Sequence, residues 1–505
     1  MADHNRLPVV QEKPRVFVIS DISNEPDDAE SLVRFLLYGN EFDTQGIVAC
    51  TSCWMRDKVH PEDMIRIVEA YGAVVDNLNS HVHPENQYPS VERLLGLIKS
   101  GPACYGKEAL ADGVELSEGA SLLIEKLEAS DRPLWVLCWG GINTLAQALH
   151  HVRRTRSEED AGQLRSKLRV YTISDQDDTG LWIRVTFPDI FYICSMHGWK
   201  EYGMATWVGI SGDMLMTHMD NGGPDVTKVS KEWLKDNIQS VGPLGKVYPT
   251  PSFIMEGDTP TFLYLIQNGL GSPENPHWGS WGGRYILGDI GGAAKHYMDA
   301  RDTVVGKNGS TFVTNQATVW RWRDAYQNDF AARMQWTLSK DRKQANHAPV
   351  ISVNGSAPGP QPLFIDAEAG DELVLDAAGT YDPDGDELYF RWFQYKEPTT
   401  AQSEIHWPVV PEVTFEPSNE SASVRVTIPP PEICAVNVLT GQALEKGQVL
   451  HFVLEVRDSG TPCITAYKRV VVQVTNNGLK GGKNKVYDTV TEAMGHSTGQ
   501  ATADG

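Results

Sequence analysis

The chain lacks any run of ~18 apolar residues, the length a membrane-spanning helix needs, so no membrane span is expected. Residues Met1 to Glu12 lack the charged-then-apolar layout of a secretory signal. Cytoplasmic residence and secretion after removal of a signal both stay open. Positive charge is scarce: 44 Lys and Arg face 66 Asp and Glu, a formal net charge of -22. Such a surface repels phosphates, which excludes nucleic acid as an expected partner, and it suits cations. Cysteine is sparse too, with seven among 505 residues. Cys50 and Cys53 form one C-x-x-C, but a zinc site normally needs a second pair or nearby histidines, so zinc is not expected. The other five read as buried thiols, and Cys434 and Cys463 can pair in an oxidising compartment.

What the chain has is length and rhythm. At 505 residues and 41% apolar, it is expected to form at least two domains. After an N-terminal extension, 1–13, the segment 14–338 alternates buried-strand and amphipathic-helix patterns. Val16–Ile19, Gly46–Ala49, Leu134–Leu137, Leu168–Ile173 and Phe191–Cys194 read as strands. Ala29, Leu32, Val33 and Leu36 mark a helix face. This rhythm predicts a mainly parallel sheet covered by helices on both faces. A polar linker is expected over 339–349. Short alternating runs from 350 to 476 predict an all-β sandwich, and 477–505 reads as a disordered tail.

The densest chemistry follows the first strand: Asp21-Ile22-Ser23-Asn24-Glu25-Pro26-Asp27-Asp28. It occupies the C-terminal end of that strand, the edge at which open parallel sheets bind ligands. A helix start, with Ser23 or Asn24 as N-cap and Pro26 as first helical residue, explains one or two acids. It does not explain four carboxylates in eight residues, which repel unless a cation neutralises them.

This segment resembles the N-terminal signature of the nucleoside hydrolases, with Asp21 and Asp27-Asp28-Ala29 on matching positions. Two later segments are similar to that family's: Val136 to Thr144, with its Trp139-Gly140-Gly141 turn and Asn143, and Glu256-Gly257-Asp258-Thr259-Pro260. The resemblance covers about 14 to 335. It implies a Ca²⁺ held by Asp21, Asp28, Asp258 and the Trp139 carbonyl, and an aspartate, Asp21 or Asp27, that activates water against a glycosidic bond. Glu25, Glu256 and Asp178 are the candidate acids. Ser23 stands where the family has its second aspartate, and Gly257 where it has a histidine. The amides that grip a ribose are replaced around Trp54 and Trp182, which points away from nucleosides. The chain most closely resembles a sub-family described as nucleoside-hydrolase-like or cellulose-binding, sharing Asp175-Gln176-Asp177-Asp178 and His277-Trp278-Gly279-Ser280-Trp281-Gly282-Gly283-Arg284.

Twelve of the fourteen tryptophans precede residue 340, and sugar C–H faces stack on such rings. Trp54, Trp182 and Trp278 are therefore candidate substrate residues, with Asn24, Asn143, Asp175, Asp178, Glu256, His277 and Arg284. His81 and His83 read as loop residues able to contact substrate. In the second domain, Asp376 to Asp386 resembles Ig-like repeats of extracellular proteins, and Asp382, Asp384 and Asp386 alternate as calcium ligands can. Two functions follow as expectations. One is a glycosidase cleaving an N- or O-glycosidic bond, in a homo-oligomer as relatives often are. The other is a non-catalytic carbohydrate-binding protein on a hydrolase fold.

Overall fold

The computed structural model describes residues 4–10, 12–195, 202–212, 220–289, 295–400, 410–437 and 443–479. Most of the expected tail lies outside them. The chain divides into two compact units, Met1–Gln267 with Gly271–His347, and Asn268–Leu270 with Ala348–Gly505.

The first unit is built on an eight-stranded sheet. Its strands are β1 (Arg15–Ser20), β2 (Asp43–Ala49), β3 (Ile98–Ser100), β4 (Leu134–Cys138), β5 (Leu168–Thr172), β6 (Phe191–Cys194), β7 (Tyr285–Asp289) and β8 (Lys295–Asp299). Their spatial order is β3-β2-β1-β4-β5-β6-β8-β7. Every neighbouring pair is parallel except β7 with β8. All six residues of β1 and all five of β4 are buried. Strands covered on both faces need such continuous apolar runs. β2 and β3 lie on one side of β1, and β4 to β6 continue on the other. The order therefore reverses between β1 and β4, and in such sheets the crevice for ligands opens at the C-terminal ends of the two strands flanking the reversal. Asp21 and Trp139 are the first residues beyond those ends.

Among the described residues, a two-stranded hairpin, β9 (Asp302–Val305) with β10 (Thr311–Thr314), completes the strands of this unit. The segment expected as a linker is largely part of it. Residues 342–344 form a helical turn, the Trp336 indole donates to the Asn346 carbonyl at 2.9 Å, and the buried His347 ring stacks on Trp336 at 5.3 Å. His347 also shares a 3.0 Å hydrogen bond with His81, whose other ring nitrogen meets the Ser339 carbonyl. Burial in that stack accounts for His81 and removes it from the substrate candidates.

The second unit is all-β. One sheet has the order β11 (Leu363–Glu368), β17 (Thr465–Thr475), β16 (Lys446–Asp458), β13 (Leu388–Gln394). The other runs β12 (Glu372–Asp376), β15 (Ser423–Thr427), β14 (Phe415–Glu416). Both feed one core, with Leu375 and Val426 from the smaller sheet and Trp392, Phe452 and Val470 from the larger. The Asp382 carboxylate folds back on its own turn and accepts from the N–H groups of Asp384, Gly385 and Asp386. Cys434 is a buried thiol outside any disulfide, and it points at the Pro429 carbonyl.

Candidate functional site

Helix α1 (Asp27–Leu37) starts directly on the acidic pair. Its N-cap is Pro26, and no side chain caps it, so Ser23 and Asn24 do not play the capping role that local pattern suggests. Ser23 instead adopts a left-handed backbone (φ 79°), is exposed, and donates its hydroxyl to Asp63. The turn from Asp21 to Pro26 thereby delivers Asp27 and Asp28 to the first turn of a helix, whose dipole favours negative charge. The Ser20 hydroxyl donates to Asp28 at 2.5 Å.

Three carboxylates converge at the crevice. Oxygens of Asp27, Asp28 and Asp258 lie within 4.8 Å of one another, and all three residues are buried. One oxygen of Asp27 and one of Asp258 have no hydrogen-bond partner among the described residues. Burial raises the pKa of each well above the ordinary carboxylate value, and the charges of neighbouring acids raise it further. Asp21 adjoins the trio and adds to the repulsion felt by all three. Its own pKa is pushed up to about 6, chiefly by burial, against a hydrogen bond from the Ser52 side chain. A buried carboxylate oxygen without a donor is costly. A set of oxygens of this kind fits a hard cation such as Ca²⁺, which takes carboxylate and carbonyl ligands. The tight group is thus Asp27, Asp28 and Asp258, with Asp21 beside it.

Two glycines allow this convergence. A Cβ at Gly140 would fall 2.5 Å from an Asp21 oxygen, and one at Gly257 would fall 2.7 Å from an Asp27 oxygen. No side chain, histidine included, fits at 257 while that oxygen stays in place. Trp139 ties the strand end to the third acid. Its indole donates to the Thr261 hydroxyl at 2.8 Å, and that hydroxyl donates to the Asp258 carbonyl at 2.7 Å. The Trp139 carbonyl faces Gln176, which donates to it at 2.6 Å. Ser20 and Ser52 are absent from the sequence expectations, because no local pattern distinguishes them from ordinary polar residues, and Gln176 appears there only as part of a shared motif, without a role.

The remaining candidates separate into groups. Glu25 and Asn24 are half-buried on the acidic turn, and the Glu25 charge raises the pKa of Asp27 and Asp258. Trp54 is 58% exposed and lies two residues beyond Ser52, whose hydroxyl its N–H reaches. Next to it, Arg56 covers the Tyr105 ring at 4.4 Å. Asn143 is buried and its amide donates to the Thr51 hydroxyl and the Cys104 carbonyl. His277 is half-buried and Trp278 buried, their rings at 6.4 Å.

Other candidates are occupied elsewhere. Asp175 pairs with Arg184 and accepts from Tyr192. Asp178 accepts the Lys107 N–H at 2.8 Å. Between them, Asp177 accepts the N–H groups of Ile142 and Asn143 and so caps the helix that follows β4. Trp182 packs against the core of the first unit, edge-on to Phe187. Arg284 binds Asp302 at 2.7 Å, both buried, and Glu256 is fully buried against Arg34. These are fold-holding contacts, so Asp175, Trp182, Arg284 and Glu256 are withdrawn as substrate contacts.

The family described as "Cellulose-binding Sde182, nucleoside hydrolase-like domain" matches residues 15–285, more than half of the chain. The chain belongs to this Sde182 family. A second match, to the family's "Cellulose-binding protein Sde0182, C-terminal domain", covers 372–474 and lies in the all-β unit. Among solved structures the chain is similar to a nucleoside hydrolase-related hypothetical protein from Saccharophagus degradans, described as associated with carbohydrate metabolism. It is 32% identical with a TM-score of 0.73, over 92% of this chain and 100% of that one. The inosine-uridine preferring nucleoside hydrolase of Bacillus anthracis is 12% identical with a TM-score of 0.32, over 65% of this chain and 100% of that one. No curated protein matches. The acidic crevice lies within the matched residues, on the first unit. Among the described residues no helix is long and apolar enough to cross a membrane.

Proposed function

We propose that the first unit hydrolyses a glycosidic bond of a carbohydrate at the Asp21–Asp27–Asp28–Asp258 crevice, with Ca²⁺ as its cofactor. The observation that carries this reading is the buried carboxylate trio, with two unsatisfied oxygens, at the reversal point of the sheet. A cation bound there would neutralise the trio and polarise oxygen ligands. The protein's own groups then do the rest. Asp21 or Asp27 takes a proton from water as the water oxygen bonds to the anomeric carbon. The glycosidic bond breaks, and the leaving group takes a proton from an acid, for which half-buried Glu25, whose charge acts on Asp27 and Asp258, is the candidate on the acidic turn. Trp54, exposed beside Ser52, offers a ring face to the sugar.

A specific observation favours a second reading, a binding protein without turnover. Ser23 points its hydroxyl at Asp63, and Gly257 presents no side chain that could assist a leaving group. The test is hydrolysis of nucleosides, nitrophenyl glycosides and cellulose-derived oligosaccharides, with and without EDTA. The proposal expects at least one to be cleaved, with activity abolished by EDTA, restored by calcium and absent in Asp28→Ala. Sugar binding without cleavage of any of them establishes the second reading.

Gly140→Ala supplies a finer check. The new Cβ must displace Asp21, since contacts of 2.5–2.8 Å to three Asp21 atoms cannot stand. Turnover is expected to fall about 10²-fold, as it does when a reacting group shifts by about 1 Å. Steady-state kinetics on the substrate found above measure it, and unchanged kcat/KM removes Asp21 from the chemistry.

A further inference from the structure

Glu256 has a property that neither hydrolysis nor sugar binding uses. It is a non-glycine residue held at φ 54°, a left-handed backbone that costs about 1 kcal/mol or more and persists only where its surroundings enforce it. The enforcement comes from α1. Glu30, one turn after Asp27, accepts the Glu256 N–H at 3.0 Å. Arg34, one turn further, binds the Glu256 carboxylate at 2.8 Å, and Tyr248 donates to its other oxygen at 2.8 Å. On the far side of Asp258, the Thr259 hydroxyl donates to Ser31 at 3.1 Å. The same helix that carries Asp27 and Asp28 thus grips the third carboxylate's turn on both sides.

We propose that Glu256 is a positioning residue that presets Asp258 against Asp27 and Asp28 before a cation arrives. This rests on the cation reading given above. Three acids held together without a cation repel, and a turn free to move would swing Asp258 away. The Arg34–Glu256–Tyr248 lock opposes that movement, and Arg34 is itself fixed by Gln327 at 2.8 Å and the Tyr326 carbonyl at 2.6 Å. The site therefore binds its ion without first assembling it, which raises affinity by removing an ordering cost.

The test uses the full-length protein and two variants, Glu256→Gln and the milder Tyr248→Phe, titrated with calcium in competition with terbium(III) and read by terbium luminescence. Circular dichroism confirms that each is folded, and Asp258→Asn marks ion binding at this site. The expected result is calcium affinity weakened about 10- to 100-fold in Glu256→Gln, the usual effect of losing a group that orients a ligand, and by a smaller factor in Tyr248→Phe. Native affinity in both folded variants overturns the positioning role while leaving the cation site standing. Native protein that shows no Asp258-dependent ion binding overturns both. Should Glu256→Gln fail to fold, Tyr248→Phe decides alone: weakened affinity supports the proposal and native affinity overturns it.

Discussion

Arg34→Met is expected to lower the stability of the first unit by about 3–5 kcal/mol, the cost of stranding one member of a buried ion pair. Both side chains of the Arg34–Glu256 pair are fully buried. The guanidinium also binds the Gln327 side chain and the Tyr326 carbonyl and lies 4.4 Å from the Phe330 ring. Methionine fills much of the volume but supplies no donor, so the fully buried Glu256 carboxylate loses its counter-charge away from bulk solvent. Urea unfolding measures the loss. Arg66→Met is the contrast: its pair with Asp63 is 63% and 31% exposed, and such pairs are worth about 0–1 kcal/mol. Equal losses in the two variants would refute the importance given to the buried pair.

Calcium is expected to stabilise the protein strongly at pH 8 and little at pH 5. The sign follows from the carboxyls. Asp21 is raised from 3.8 to about 6, and Asp27, Asp28 and Asp258 are raised well above 3.8 by burial and mutual repulsion. A raised carboxyl keeps its proton in the folded state where the unfolded chain has released it. Between the unfolded and folded values the native state thus holds more protons, and stability falls as pH rises. This contribution is complete below 3.8, and for Asp21 it is lost by passing through about 6. The ion-free protein should therefore be less stable at pH 8 than at pH 5. An ion displaces those protons, so it binds best at the higher pH. At 100 times its dissociation constant it adds about 2.7 kcal/mol. Thermal unfolding with EDTA or calcium at the two pH values reads this directly. A calcium shift that is larger at pH 5 would contradict the assignment.

The parts of the molecule readable from sequence are those set by local pattern. Continuous apolar runs mark β1 and β4, and the spacing of Leu32, Val33 and Leu36 marks α1. The acids of the turn are notable because they adjoin a buried strand, and Asp258 came only through the resemblance. Long-range pairing is another matter. Nothing near Glu256 signals that Arg34, 222 residues away, holds it, or that Asp302 holds Arg284. Asp177, one of three similar acids, is a helix cap 34 residues distant from the amide it serves. The half-exposed strands β9 and β10 alternate weakly and do not emerge from a search for buried strands. The expected linker looked polar, yet its His347 is buried, because stacking on Trp336 and bonding to His81 are invisible without the fold.

The central claim is that three buried carboxylates form a cation-bearing sugar site. It is tested most directly by crystals grown with calcium and the best-binding oligosaccharide, measured for anomalous scattering. The account predicts one calcium peak about 2.3–2.6 Å from oxygens of Asp27, Asp28 and Asp258, with a sugar ring beside it and Trp54 against its face. A crevice without an ion, with sugar bound only to the all-β unit, would contradict it.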